Sequence, residues 1–399
     1  MRFAVIISFV VLTLSVAPAE TSAQQTRRAA PVPRTDSATE QLASGWAALA
    51  AGRTADAEAA ADRLLQAATL RHDAVSLKIR SRVQGGGVDA ALDVYDKWVA
   101  DAPHEDVFFL QPIARATLDA QSKSTDVSVR IEALRALAEA GDKTAAARLS
   151  ELASSPGAPG TADEALAELG NQPAMARLAD RVSKPGPRGD VSSSIDALVK
   201  AKAMNAVPAI ASALAAGRPL PTKLSAARGL GELGARGAIP QLQQALKDPD
   251  PPVRMMAAAA LSRLGDQSGI ELVRQMESSP VSDIRLMLAE TTAEGNPDGT
   301  WVSTATAALQ DPDPLARVSA AKLLLKHAAD PAAAMAALGQ ALSDANPAMR
   351  LVASQALADV PRPLLGTDLP TLRRLLRDPS AQVKIAAAGA VLKLAGGVD

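Results

Sequence analysis

The sequence predicts an all-α fold, a right-handed α-solenoid built from stacked antiparallel helical hairpins. One motif recurs at intervals of 31 to 34 residues: an acidic or small polar residue, followed six positions later by a basic one. A fixed period in this range is the signature of a stacked repeat protein. Apolar residues make up 48% of the chain, with alanine dominant, and aromatic residues only 2%. Such small side chains suit closely packed helices better than strands.

The N-terminus predicts a secretory signal peptide over residues 1–23. Arg2 precedes an apolar run, Phe3–Val16, and small residues then offer cleavage after Ala19 or after Ala23. The run is too short to cross about 30 Å of hydrocarbon comfortably, so a cleaved signal is favoured over an uncleaved anchor. We therefore expect an exported, soluble protein, periplasmic or secreted, with no membrane span after cleavage. The chain has no cysteine, so disulfides contribute nothing after export.

Residues 24–36, rich in proline, alanine and arginine, predict a flexible tether. Residues 37–104 then predict two helical hairpins with a period of 34 residues. The recurring positions are Gly52/Gly86, Ala57/Ala91, Ala61/Tyr95 and Leu64/Trp98. The second unit resembles the tetratricopeptide repeat, because its turn glycine, small residue, aromatic residue and closing proline are all in place: Gly86, Ala91, Tyr95 and Pro103. The first unit lacks the aromatic residue and the proline.

Residues 105–399 carry the six-residue motif and predict about nine further helical pairs. The strongest copies are Asp248/Arg254, Asp311/Arg317, Asp344/Arg350 and Asp378/Lys384, and weaker ones are Ser124/Arg130 and Ser279/Arg285. The second helix of each pair is expected to begin four residues before the basic residue, at the good N-caps Asp126, Asp250, Asp313, Asn346 and Ser380. Prolines at the first helical position follow three of these caps. Alanine and leucine then form a buried stripe at helical spacing.

This region resembles HEAT repeats, whose hallmark is an Asp before the second helix and an Arg six residues later. The short period is similar to the HEAT-like subtype that also occurs in phycobilisome lyases. The resemblance implies that each acidic residue pairs with the basic residue of its own or a neighbouring repeat and keeps the repeats in register. It implies little about function, because the architecture serves scaffolds, transport adaptors, lyases and DNA-repair enzymes.

Composition and motifs argue against a catalytic or metal site and against nucleic-acid binding. The net charge is −1, which gives no long-range attraction for nucleic acid or anionic membrane. The three histidines (His72, His104 and His327) lie in different repeats without metal-ligand spacing. There is no thiol and no serine with a credible histidine partner. We therefore expect no metal, no cofactor and no enzymatic activity.

Two surfaces are candidates for binding a protein or peptide. The polar, variable positions five and nine residues after the basic residue are expected on the concave face: Arg135, Arg228, Glu232, Arg263, Glu290, Lys322, Lys326, Gln355 and Lys393. The alternative for this face is a solvated surface joined by i,i+4 ion pairs. The second candidate is the aromatic residues, with Trp46 and Trp301 as possible anchors. Tyr95 and Trp98, three residues apart, are expected in the core.

These observations predict a non-catalytic exported scaffold or adaptor that binds a protein or peptide on the concave face of the solenoid. The alternative is a HEAT-like lyase or an accessory subunit of an envelope enzyme, which would use the groove to hold a pigment or cofactor. Binding of envelope glycans is disfavoured because aromatic residues are nearly absent after Phe109.

Overall fold

A computed structural model describes residues 37–102, 104–155, 160–185, 189–276, 301–327, 329–357 and 369–396, with positions 286, 288–290, 293, 299 and 360. The predicted signal peptide, the tether and the Ser279/Arg285 pair lie outside the described residues. Every regular element in the described part is helical, which confirms the all-α solenoid. Among the described helices, none combines the length and apolar character needed to cross a membrane.

The described part of the chain begins with four helices that form consecutive hairpins: α1 (Ala38–Ala50), α2 (Thr54–Gln66), α3 (Arg71–Gly85) and α4 (Gly87–Asp101). The outer helices of the following pairs are α5 (Val107–Gln121), α7 (Lys143–Ser154), α9 (Gln172–Ser183), α11 (Val207–Ser212), α13 (Ile239–Ala245), α15 (Gln267–Met276), α16 (Trp301–Ala308), α18 (Pro331–Ala341) and α20 (Leu369–Leu375). The inner helices are α6 (Val127–Glu139), α8 (Gly160–Glu168), α10 (Ser192–Lys200), α12 (Leu220–Glu232), α14 (Pro251–Arg263), α17 (Pro314–Lys326), α19 (Pro347–Ala356) and α21 (Ala381–Ala395).

The inner helices begin where the sequence predicts. Asp126, Asp313, Asn346 and Ser380 are N-caps, and the side chain of each accepts a hydrogen bond from a backbone N–H of the first turn. Asp250 is also an N-cap, but its side chain makes no capping bond. Prolines occupy the first positions of α14, α17 and α19. The predicted starts are therefore confirmed, and the carboxylate of Asp250 is left for another contact.

The inner helices pack side by side in chain order. Residues 288–290 are helical and continue the row between α14 and α17. Leu288 packs with Ala258 and Ala259 of α14, whereas Leu286 and Ala289 belong to the core that contains α17. With this short segment the row has nine described members.

The last pair packs against the first, so the row closes into a ring. Helix α21 lies against α5 just as α6 lies against α7, or α14 against α15, and it also contacts α6 as a neighbouring inner helix would. One continuous core accordingly contains Phe109 and Leu134 near the start of the ring together with Val383 and Val391 at its end. The sequence predicted a solenoid but not this closure. We call the α21–α5–α6 contact the seam.

The four N-terminal helices pack on the outside of the ring next to the seam. Helices α3 and α4 contact α5. Tyr95 is fully buried and stacks on Trp98 at 5.9 Å, and Phe109 meets Trp98 edge-on at 4.8 Å. These aromatic residues fasten the N-terminal hairpins to the first pair of the ring. Phe108, in contrast, is 46% exposed.

Candidate functional site

The acidic and basic residues of the repeated motif form contacts between successive pairs. Lys223 of α12 is buried, and its Nζ donates to Asp248 Oδ1 at 2.9 Å and to Asp250 Oδ2 at 2.7 Å, both in the turn before α14. The backbone N–H of Asp250 also donates to Asp248. Burial acts against the ionised Asp248, but the bonds from Lys223 and from the Asp250 backbone outweigh it and lower the pKa of Asp248.

The second such contact joins the last two pairs of the ring. Arg350 of α19 donates from Nε to Asp378 Oδ2 at 2.7 Å, and from Nη1 to the carbonyl of Asp344 at 2.9 Å. Arg254 and Arg317 likewise donate to the carbonyls of Asp248 and Asp311, six residues earlier. Lys384 makes no hydrogen bond or ion pair through its side chain with the described residues. The acidic partners lie in the turn between the outer and inner helix of a pair, and the contacts from Lys223 and Arg350 join that turn to the preceding pair, so the motif has a structural use.

Candidate binding residues from three inner members face a common space, the lumen of the ring: Arg228, Glu232, Glu290, Lys322 and Lys326. The residues of α17 that are not buried include one stripe at helical spacing, Leu315, Ser319, Lys322 and Lys326; Pro314 and Arg317, near the start of the helix, are partly buried. The pKa of the Glu290 carboxyl is affected by the charges of Lys322 and Lys326 on α17 and by those of Arg228 and Glu232 on α12. Side chains from helices on either side of Glu290 therefore point into the same enclosed volume.

Glu290 shows how enclosed this volume is. Its side chain is exposed to solvent, yet the surrounding protein dehydrates it, and this raises the pKa of the Glu290 carboxyl against the opposing effects of Arg228 and Lys322. Burial likewise lowers the pKa of Arg263, while the nearby charge of Glu232 acts in the opposite direction. Both shifts are in the direction expected of side chains crowded by neighbouring helices on a concave surface.

The first four inner helices are joined across the lumen wall by ion pairs. Arg135 reaches Glu168 at 3.5 Å, Lys200 reaches Glu168 at 2.8 Å, and Arg228 reaches Asp196 at 2.7 Å. Each of these pairs links neighbouring inner helices. Arg135 also pairs with Glu139 on its own helix at 2.6 Å. We call the five residues that link neighbouring helices the charge belt.

The opposite arc of the lumen is different in character. Leu315 of α17 is 49% exposed and Val352 of α19 is 37% exposed, although both are large apolar residues. Lys322 and Gln355, further along the same two helices, are exposed as well. Lys393 of α21 donates to the carbonyl of Val360 at 3.1 Å. This arc offers apolar surface beside polar side chains, and we call it the apolar arc.

The structure corrects the prediction that Trp301 is a surface anchor. Trp301 is only 3% exposed, because it begins α16 and packs within the core, with its ring 5.1 Å from that of His327. His327 ends α17, and burial followed by the charges of Lys326 and Arg263 lowers its pKa. Trp46 is half-buried and packs on the core of the first hairpins, which includes Leu77. The aromatic residues therefore serve packing more than recognition.

Sequence reasoning missed three of the five residues of the charge belt. Glu168, Asp196 and Lys200 lie on helices that lack the acidic–basic motif, so no basic residue marks their register. The signal was present in the spacing: Asp196 is 32 residues before Arg228, and Glu168 is 32 before Lys200. In the described part of the chain, no group of three or more acidic or histidine side chains has the geometry to hold a metal ion.

Comparisons with known proteins agree with this architecture. Residues 207–293 match the family model of HEAT repeats, and residues 129–155 match that of the PBS lyase HEAT-like repeat. No curated protein matches the chain. Among solved structures, the complex of CpcE and CpcF of phycocyanin lyase from a Nostoc species is similar at a TM-score of 0.39 and 22% identity, covering 56% of this chain and 92% of that one.

A second solved structure, human deoxyhypusine hydroxylase, is similar at a TM-score of 0.32 and 18% identity, covering 58% of this chain and 97% of that one. An engineered protein is similar at a TM-score of 0.27 and 19% identity, covering 88% of this chain and 99% of that one. At this level of similarity these proteins carry no information on the activity of the present chain.

Proposed function

Because this chain is a HEAT-like repeat protein whose array closes on itself, we propose that it is a non-catalytic exported scaffold that holds an extended segment of a partner protein inside the ring. The observation that carries the proposal is the convergence of variable inner-helix side chains on one lumen. The proposal of export is based on the predicted signal peptide.

The expected size of the lumen favours a segment over a folded domain. The ring has nine inner members. With neighbouring helices about 9 Å apart and each about 11 Å thick, the axes form a circle roughly 26 Å across and leave an opening of roughly 15 Å. A single helix or an extended chain fits this opening, whereas a small domain of about 30 Å does not.

The chemistry of the wall favours a polypeptide as the occupant. Extended peptides present apolar and polar side chains in alternation, and the apolar arc offers both kinds of surface beside each other. The charge belt on the other side is already internally paired, so it gains little from a new ion pair. We therefore expect the apolar arc, with Leu315 and Val352 at its centre, to contribute most of the binding energy.

A photocrosslinking amino acid placed in the lumen tests the proposal. Gln355 is exposed on α19 and holds the repeat position that Lys322 holds on α17, five residues after the arginine of the motif. Gln241 is an exposed glutamine on the outer helix α13, which makes it a matched control. Each variant is incubated with an envelope extract of the source organism and irradiated. We expect a specific protein adduct from position 355 and none from position 241.

A charged residue in the apolar arc provides the second test. Val352→Glu should abolish the adduct at position 355 without changing the melting temperature, because the side chain at 352 is exposed. Equal adducts at positions 355 and 241, or an adduct that survives Val352→Glu, would show that the lumen is not the binding site.

A further inference from the structure

We infer that the partner segment enters the ring sideways through the seam, and that the four N-terminal helices act as a clasp that holds the seam shut. This inference rests on the proposed function, because a segment within a folded protein has no free end to thread through the lumen. The ring must then open at some point along its wall, and the structure distinguishes one interface from the others.

The seam is the one contact between neighbouring inner helices of the described ring that the chain does not bridge. Every other adjacent pair is joined by the chain itself, which runs from one inner member to the next by way of an outer helix and limits how far the two can separate. Helices α21 and α6 are instead the last and first inner members of the ring. Opening at the seam therefore strains no connecting segment.

The clasp spans the seam from the outside. On one side it is fastened to α5 through the Tyr95, Trp98 and Phe109 rings. On the other side it reaches α20 and the turn after it through ion pairs. Arg373 pairs with Asp96 of the clasp and also with Glu105, in the turn between the clasp and α5, and Arg377 pairs with Asp93 and Asp96 at 2.8 Å each.

The two attachments differ in strength and in kind. The aromatic side is buried and stays in place when ions screen the surface. The ionic side is partly exposed, since the side chains of Arg377 and Asp93 are 35% and 65% exposed. Arg373 also lies over the Tyr95 ring at 5.9 Å, which adds a cation–π contact. The clasp should thus remain on α5 and release α20 when the seam opens.

Thiol labelling of the protein alone measures this opening. The chain has no cysteine, so a single introduced thiol is unambiguous. Ala136 lies on α6 at the seam, and Ala260 holds the same repeat position on α14 at an ordinary interface, where it packs against Gly231. Both are buried. We compare the rates at which a maleimide labels Ala136→Cys and Ala260→Cys, with and without Arg373→Ala and Arg377→Ala.

We expect the double arginine variant to speed labelling at position 136 by at least about tenfold and to leave position 260 unchanged, since local openings have their own free energies. High salt should act in the same direction. Equal acceleration at both positions would mean that the arginines stabilise the whole ring, and no acceleration at 136 would mean that they do not hold the seam. Either result would contradict the proposal that the clasp holds the seam shut.

A disulfide across the seam tests entry. A Cβ atom at Gly389 would lie 3.7 Å from Ala136 Cβ, within the range of about 3.5–4.5 Å that disulfides require. The Ala136→Cys, Gly389→Cys ring carries the photocrosslinker at position 355 and meets the same extract. We expect the adduct to be lost when the disulfide is formed and restored by reduction. An adduct of equal yield in the oxidised ring would overturn sideways entry while leaving lumen binding intact.

Discussion

The α12–α14 interface and the seam both bring neighbouring inner members of the ring together, but by different means. At α12–α14, the buried Lys223 pairs with Asp248 and Asp250, and Gly231 allows α14 to approach closely. At the seam, the polar contacts lie outside the row of inner helices, between the clasp and the region of α20, and are partly exposed. The repeated motif therefore secures only the interfaces between consecutive repeats. The interface between the two ends of the ring needs a device of its own.

Removing the buried lysine should produce the largest effect. Lys223→Met leaves Asp248, whose side chain is 8% exposed, without its partner. The group lies close to the surface of a thin molecule, so we expect a loss of about 3 kcal/mol in the free energy of unfolding, the low end for a broken buried pair. Urea denaturation measures it, with Lys247→Ala, an exposed neighbour, as control. Equal stability of both variants would remove the structural role of the motif.

Replacing Arg373 should destabilise the seam more than replacing Arg377. Arg373 pairs with Glu105, whose side chain is 10% exposed, and covers Tyr95. We expect Arg373→Ala to cost about 1–2 kcal/mol and Arg377→Ala less than about 1 kcal/mol, as is usual for exposed pairs. Hydrogen exchange of the α21 amides measures both. If Arg377→Ala had the larger effect, the pair of Arg377 with Asp93 would be the main contact that holds the seam.

Acid should weaken the ordinary interfaces. The pKa values of Asp248 and Asp378 are lowered in the folded protein, because hydrogen bonds from Lys223 and Arg350 outweigh the effect of burial. Their contribution is complete above the unfolded pKa of about 3.9 and is lost as the pH falls through the lower folded values. Urea midpoints between pH 2 and 6 should fall with acid, and less steeply in Asp378→Asn. An unchanged slope in that variant would contradict the assignment.

Protonation of Glu105 should stabilise the protein, in contrast to that of Asp248 and Asp378, and its replacement should have the smallest effect on stability. Burial raises the pKa of Glu105 ahead of the opposing charge of Arg373. The folded protein therefore holds this proton more tightly than the unfolded chain, and it gains stability as the pH falls through the folded pKa, completely so below the unfolded value of about 4.3. Glu105→Gln should change stability by less than about 0.5 kcal/mol at neutral pH, because the lost pairing and the relieved burial offset each other. Melting temperatures at pH 7 and pH 4.5 measure it, and the variant should lose the gain on acidification.

The local features of the fold could be read from the sequence because they depend on residues close together in the chain. The N-caps at Asp126 and Asn346, and the proline after the latter, act within one helical turn. The variable inner positions such as Arg228 and Lys322 follow from helical period alone. The tetratricopeptide character of the first four helices and the domain boundaries remain predictions.

The closure and the clasp could not be read in this way. Whether a solenoid closes depends on the small rotation between successive repeats, which accumulates over the whole array. Asp93 and Arg377 are separated by 284 residues, and neither stands out in its local sequence. Trp301 was misjudged because an aromatic residue at the start of a helix can face the core or the solvent, and only packing decides between the two.

Closure also sets the length of the array. An open solenoid has two end repeats whose apolar faces need a polar cap, and it tolerates the gain or loss of an internal repeat. In this ring the first and last pairs cover each other through Ala136 and Gly389, so neither end needs a cap. Removing one internal pair would change the total rotation and separate two apolar faces that no cap protects. The number of repeats is therefore a property of the whole circle, and it can change only if the curvature changes with it.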